Sequence, residues 1–266
     1  MKNNYLLLVT NKTIISKLKG ESNITFLFPV KDFTVGFENT FRIDEIDTEH
    51  AYIFVNRLLD REGIEDFKSF IKNLPSNIEG IVFDDIGVLQ VLNTTSNHLT
   101  KILFLNHFNC NYESINAYLD YADSVVVSTD ITEEEVKEIL EKVNKPVVIY
   151  TFGYVNIMYS RRLLLTNYNN HFKREVPLTS NLVNDLKQDF KIVENRYGTV
   201  IYTGYPFNGL RYRGSKNILY YFVNSVFLTD EEVIEVIHSN DNLEQKYPYR
   251  YLSEKDTIVR IKERSV

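Results

Sequence analysis

The chain has 266 residues, of which 44% are hydrophobic and 25% charged, with a formal net charge of −6. That length can bury one large α/β barrel or two smaller domains. The acidic balance disfavours non-specific nucleic-acid binding through bulk charge, though it leaves a local basic patch open. The single cysteine, Cys110, excludes an internal disulfide and any cysteine-built zinc or iron–sulfur site within one subunit, and it suits a reducing cytoplasm.

The first apolar run, at 5–10, is too short for a signal segment, and no run reaches the roughly 18 apolar residues of a membrane helix. A cytoplasmic protein with no membrane partner is expected. Further β-rich runs follow at 24–30, 51–56, 78–83, 102–105, 124–128 and 146–151. Most are continuously apolar, as parallel strands covered on both faces require. Between them lie helical patterns. Ile64, Phe67, Phe70, Ile71 and Leu74 fall on one face, with Glu65, Asp66, Lys68 and Lys72 largely opposite.

The clearest helix start runs from Ser128 to Glu135, where Asp130 or Thr132 can cap and three glutamates complement the positive helix end. Asn144-Lys-Pro146 stops that helix and opens the next strand. Strand, capped helix, strand is the βαβ unit, and seven such strands predict a parallel α/β fold, a TIM-like (β/α)8 barrel.

Beyond Tyr168 the pattern changes. Segments 171–180 and 191–207 read as antiparallel strands, with a turn at Arg196-Tyr-Gly198. Segment 218–222 reads as part of a helix and 225–228 as a short last strand. Thr229-Asp-Glu-Glu232 then caps a final helix through His238. The predicted organisation is a barrel at 1–168 with its first seven units, a β-rich insertion at 169–212, a closing helix and strand at 213–240, and a tail at 241–266 that turns basic at Arg260 to Arg264.

In a barrel, ligands meet the residues where strands hand over to the following loops. Asp84 and Asp85 end the fourth run. Adjacent residues point in different directions, so only one need face the mouth. One could be a general base or orient substrate, or the pair could cap the helix near Ile86. His107 could be an acid, a base or a ligand, or simply be hydrogen-bonded. Asn56, Asn106, Tyr159, Ser160, Arg161, Arg162, Asn167 and Tyr168 supply candidate substrate contacts. A guanidinium fork at Arg161 or Arg162 suits a carboxylate or phosphate, and it would serve equally to tie the insertion to the barrel. No histidine pair has metal-site spacing, so no metal ligands are assigned. Phosphate loops and nucleophile elbows are absent.

The segment Thr151-Phe-Gly153, then Tyr159-Ser160, Arg162 and Thr166-Asn-Tyr168, resembles the signature of the collagenase-like peptidase U-32 family. Val126 to Glu134, Asp84-Asp-Ile-Gly87, Asn106 to Asn111, and Gly198-Thr199 with Phe207-Asn208 are similar to other parts of that family. The resemblance implies a barrel with a β-rich excursion. It also brings out departures. Cluster-bearing members use four cysteines, whereas this chain has Leu163 at the Tyr-Ser-Arg-Cys step and Leu210 or Arg211 downstream. Phe152 replaces the usual histidine before the signature glycine. The resemblance therefore implies a member with no cofactor and no iron–sulfur cluster.

Three functions are open, the first two suggested by the resemblance and the third by the arginines. One is an accessory subunit, paired with a related cluster-bearing subunit, in RNA modification such as tRNA uridine hydroxylation. The second is a peptidase or other hydrolase acting through Asp84, Asp85 and His107. The third is a non-catalytic module that binds a small anion through Arg161 or Arg162. RNA and a second copy of the chain remain open as partners.

Overall fold

The computed structural model describes residues 3–95, 98–105 and 107–249. In chain order the first strands and helices are β1 (Tyr5–Leu8), α1 (Lys12–Leu18), β2 (Ile24–Pro29), β3 (Ala51–Val55), α2 (Arg61–Lys72), β4 (Ile78–Phe83), α3 (Ile86–Thr94), β5 (Thr100–Leu103), α4 (Tyr112–Leu119), β6 (Ser124–Val127) and α5 (Glu133–Lys142). They are followed by β7 (Val147–Ser160), α6 (Leu164–Phe172), β8 (Thr179–Val183), β9 (Asp189–Asn195), β10 (Gly198–Asn208), β11 (Ile218–Asn224) and α7 (Asp230–His238). Strands β1 to β7 pair in parallel in sequence order, and β11 pairs with both β1 and β7. Eight parallel strands thus close a TIM-like barrel. Strands β10, β9 and β8 continue the sheet beyond β7 as an antiparallel extension.

The buried runs explain the barrel. Strands β1, β3 and β6 are buried at every position, as expected of strands with side chains on one face and helices on the other. Helix α2 buries Gly63, Phe67 and Ile71. Asp60, Thr132 and Thr229 cap α2, α5 and α7, the last two through capping boxes with Glu135 and Glu232.

The structure corrects three readings. Segment 218–222 is the eighth barrel strand, because Ile218, Tyr220, Tyr221, Phe222 and Val223 form a β-branched and aromatic run between β1 and β7. A short apolar run cannot be told from a helix by period alone. Segment 225–228 is a turn, closed by Leu228 N–H donating to Ser225 O at 3.0 Å, with Phe227 at φ 64°. Segment 171–180 is not one strand: α6 ends at Phe172, Lys173 turns left-handed at φ 53°, and β8 begins only at Thr179.

The regular βαβ alternation also lapses once. Between β2 and β3 lies a long loop with a single 3-10 turn, Ile43–Glu45, in place of an α-helix. The tail begins by docking. Asn208 Nδ2 donates to Asn242 O and Tyr247 O, and the Tyr247 ring meets Phe152 edge-on at 4.8 Å. Arg260 to Arg264 lie outside the described residues. Among the described residues, no helix is long and apolar enough to cross a membrane.

Candidate functional site

Strand β7 does not stop at the rim of the barrel. It bends at Gly153, whose φ of 124° disfavours any side chain and whose Cβ would stand 2.2 Å from Asn224 O. It then runs to Ser160, paired with β10 from Phe207↔Gly153 to Thr199↔Ser160. Around an eight-stranded ring, β3 lies opposite β7. The β7–β10 extension lands on that far side, so it roofs the mouth.

Hydrogen bonds and two ion pairs join the roof to that side. Tyr202 O–H donates to Gly36 O at 2.8 Å, and Asn195 Nδ2 donates to Thr34 O at 3.1 Å. Asp32 Oδ1 accepts from Arg196 and from Tyr197 O–H. Arg161 Nη2 donates to Asp60 Oδ2 at 2.9 Å. The Arg57 guanidinium also stacks on the Tyr197 ring at 4.0 Å.

Under the roof is a cavity of about 40 Å³. The space suits one or two water molecules, each taking about 30 Å³ of liquid. Phe37, Phe54, Phe104, Tyr150, Tyr202 and Phe222 supply aromatic wall, with Leu8, Asn56, Asn156, Asn224 and Asp84 between them. Almost every polar group there is already engaged. Asn56 clamps Val35, accepting from its N–H at 2.9 Å and donating to its C=O at 3.1 Å. Asn224 Nδ2 donates to Tyr150 Oη and Tyr154 O, and its Oδ1 accepts from Val226 N–H. Tyr150 O–H donates to Tyr154 O at 2.7 Å. Asn156 has a partner as well.

Asp84 is the exception. Its Oδ1 is buried without a hydrogen-bond partner. Burial, and then the adjacent charge of Asp85, raise the Asp84 carboxyl well above the usual carboxylate range. Asp85 has the opposite task. It caps α3, with Oδ1 accepting from Gly87 N–H at 2.7 Å and Oδ2 accepting from Leu59 N–H at 2.9 Å. The two neighbours therefore point apart, one into the cavity and one into backbone.

Of the other residues singled out from the sequence, Asn56 shares the cavity wall. Tyr159 is half-buried over the β3 side of the rim, its O–H donating to Tyr197 O at 3.4 Å. Burial raises its phenol, and the Asp84 charge adds to that. Ser160 Oγ accepts from Arg162 N–H, and the Arg162 side chain is exposed. Asn167 and Tyr168 lie exposed on α6, Tyr168 against the Phe172 ring at 4.9 Å. His107 does not line the cavity; its Nδ1 lies 2.5 Å from Asp130 Oδ2 at the surface. Asn106 lies outside the described residues.

Sequence reasoning missed Glu194, Asn224 and the Val35 to Phe37 segment. Glu194 had a signal: it is a lone acid inside the β-branched run Ile192-Val193-Glu194. Its carboxylate accepts from Leu165 N–H, Thr166 N–H, Thr166 O–H and Thr199 O–H, so it caps α6 from another strand. Asn224 ends a continuous apolar strand, and reading 218–222 as a helix hid it.

The residues present do not fit a four-thiolate cluster. Leu163 is the N-cap of α6, Leu210 is fully buried, and Arg211 pairs with Glu133 while stacking on the Tyr249 ring at 3.5 Å. Cys110 Sγ–H donates to His107 O at 3.2 Å. The roof is also charged differently from the body. Residues 154–208 carry seven lysines and arginines against four acids, a net +3 inside a chain of −6.

The description of peptidase family U32 matches residues 34–197, from the loop that receives the roof to the turn of the β9–β10 hairpin. The solved structure of the U32 peptidase Mk0906 superposes with a TM-score of 0.52 at 15% identity, covering 84% of this chain and 92% of that one. At that identity the likeness speaks for the fold. No curated protein matches the chain.

Proposed function

The chain belongs to peptidase family U32, and we propose that it is a cluster-free member that acts on RNA as the accessory partner of a related, cluster-bearing subunit, in a modification such as tRNA uridine hydroxylation. The observation that carries this reading is the charge of the roof. A net +3 over residues 154–208 leaves −9 on the rest of the chain, so a polyanion would meet less repulsion at the roof than elsewhere. Arg162, Lys173, Arg174 and Lys187 are exposed there. Leu163 and Arg211 at the positions where the family resemblance calls for thiolates support a subunit that relies on a partner's cluster.

The test is a gentle pull-down of the tagged full chain from its own host, with tRNA binding measured across a salt series. The expected result is a co-purifying chain with the four missing cysteines. tRNA binding should weaken with salt, and Arg162→Glu with Lys173→Glu and Arg174→Glu should lower the logarithmic salt slope by about 0.7 to 0.9 for each phosphate no longer neutralised. Recovery of neither a related chain nor RNA would sink the reading.

A second reading, a hydrolase, is favoured by Asp84. A carboxyl raised by burial and facing a small cavity has the character of a general acid. Peptidase assays with Asp84→Asn address it, and activity unchanged by that substitution would remove Asp84 from the role. The small-anion module has less support, because the cavity wall holds no Lys, Arg or His and Arg161 is already paired with Asp60.

A further inference from the structure

We propose that the roofed barrel mouth is a binding site for a primary alkylammonium group, held by the open Oδ1 of Asp84 inside a cage of aromatic rings. The inference stands apart from the RNA reading. It rests on the cavity and not on the basic roof, so failure of either test leaves the other untouched.

Four observations converge. The polar groups of the wall other than Asp84 already have partners within the protein, so a ligand that enters must satisfy this one acceptor. The wall contains no cation, so an unpartnered acid faces it with nothing to neutralise its ionised form. The rings form a continuous chain around it, from Phe37 to Phe54 at 5.8 Å, Phe54 to Phe104 at 6.1 Å, Phe104 to Phe222 at 5.5 Å and Phe222 to Tyr150 at 5.1 Å. Ring faces attract cations, most strongly where water is excluded. Lastly, the cavity is small, about 40 Å³, and only partly closed, so it suits a compact head group with its chain leading outward. A carboxylate and an ammonium in such a space form a charge-assisted hydrogen bond.

The site would open on its β2–β3 side. There Val35 to Phe37 is held by hydrogen bonds from Asn56 to Val35 and from Tyr202 to Gly36 O, and Gly36 has φ 83° with no room for a Cβ beside Tyr202 Oη. The ammonium could belong to a lysine side chain or to a free amine, and the chemistry of recognition is the same.

Calorimetric titration of the full chain with n-butylammonium chloride tests the proposal. Controls are n-butanol, which has the same shape without charge, and tetramethylammonium, which has no N–H. Butylammonium is expected to bind about tenfold or more tightly than either. Its affinity should rise with pH while the ligand stays charged, because Asp84 must give up its proton to pair with it. The titratable groups around Asp84 are Asp85 at the start of α3, Tyr150 and Tyr159 on β7 and Tyr202 on β10.

Asp84→Asn should abolish the preference for ammonium over alcohol. Phe104→Leu should weaken butylammonium several-fold and leave butanol unchanged, with a far-ultraviolet spectrum confirming that each variant folds. A lysine derivative blocked at its α-amine and carboxyl that binds as well as butylammonium would assign a protein side chain as the source, and its exclusion would assign a free amine. Equal binding of butanol and butylammonium, affinity that falls with rising pH, or full binding by Asp84→Asn would each overturn the proposal, as would no binding of butylammonium at all.

Discussion

In the roof, Glu194 is 5% exposed and accepts four hydrogen bonds. Burial alone would raise its carboxyl, but the donors of Thr166, Thr199 and Leu165 overcome it and hold the group below the usual range. In the barrel mouth, Asp84 Oδ1 is also buried, yet it has no donor, and the carboxyl is raised. The same chemical group thus serves two ends. A satisfied buried carboxylate ties α6 to β9 and β10. An unsatisfied one is a standing cost, kept where a ligand could relieve it. The contrast separates a structural acid from a candidate functional one without any appeal to position in the chain.

The largest break in this comparison should come from Glu194→Ala. It orphans three donors, since Thr199 O–H also has Arg162 O, and at roughly 1.5 kcal/mol for each bond to a charged group the loss is about 4.5 kcal/mol, read by denaturant unfolding. Glu194→Gln keeps the shape and removes the titrating group, leaving one acceptor oxygen in place of two. A carboxyl lowered in the folded state adds stability that is present above its unfolded value near 4.5 and lost as pH falls through the folded one. The wild type should therefore lose stability below about pH 4.5, and the Gln variant should show a flatter acid limb. Equal acid limbs would mean that the carboxylate is not what holds α6.

Gly153→Ala attacks the hinge that places the roof over Asp84. The strained φ and the 2.2 Å approach to Asn224 O predict a loss of about 3 kcal/mol. Faster proteolysis within residues 161–208 than within the barrel would show that the roof lifts first. Uniform cleavage would show that roof and barrel unfold together.

Asp84→Asn should act in the opposite direction and sharpen the contrast. A carboxyl raised in the folded state contributes stability that is full below its unfolded value near 3.8 and lost as pH rises toward the folded value. The Asn variant should match the wild type in strong acid. It should then gain on it by about 1.4 kcal/mol per pH unit until the folded value is reached. A variant less stable than the wild type at neutral pH would show that Asp84 has a partner after all.

The smallest effect belongs to Arg161→Ala. Its ion pair with Asp60 is exposed on both sides, and such pairs contribute little. The melting temperature should not move measurably. A clear fall would make this pair a true anchor of the roof.

Much of the barrel was legible because its signals are local. Continuous apolar runs such as Leu6 to Val9 and Val125 to Val127, and Thr caps followed by glutamates at 132–135 and 229–232, declare parallel strands and helix starts within a few residues. The pair Asp84 and Asp85 was visible too, and so was the rule that only one of them need face the mouth. The roof was less legible. Helix α6 has no cap of its own at Leu163, since its cap, Glu194, comes from another strand. The cavity was least legible, because its walls come from β1, β3, β5, β7, β10, β11 and the loop near Phe37.

Period, composition and cap residues, which act over a turn of helix or a pair of strands, were enough to specify a parallel α/β barrel and its first seven strands. Which acid is satisfied and which is left open depends on groups brought together from opposite sides of a closed ring. Hydrogen-bond partners and solvent exclusion are set by distance in space, so only the folded chain decided that Asp85 caps a helix while Asp84 faces an enclosed aromatic wall.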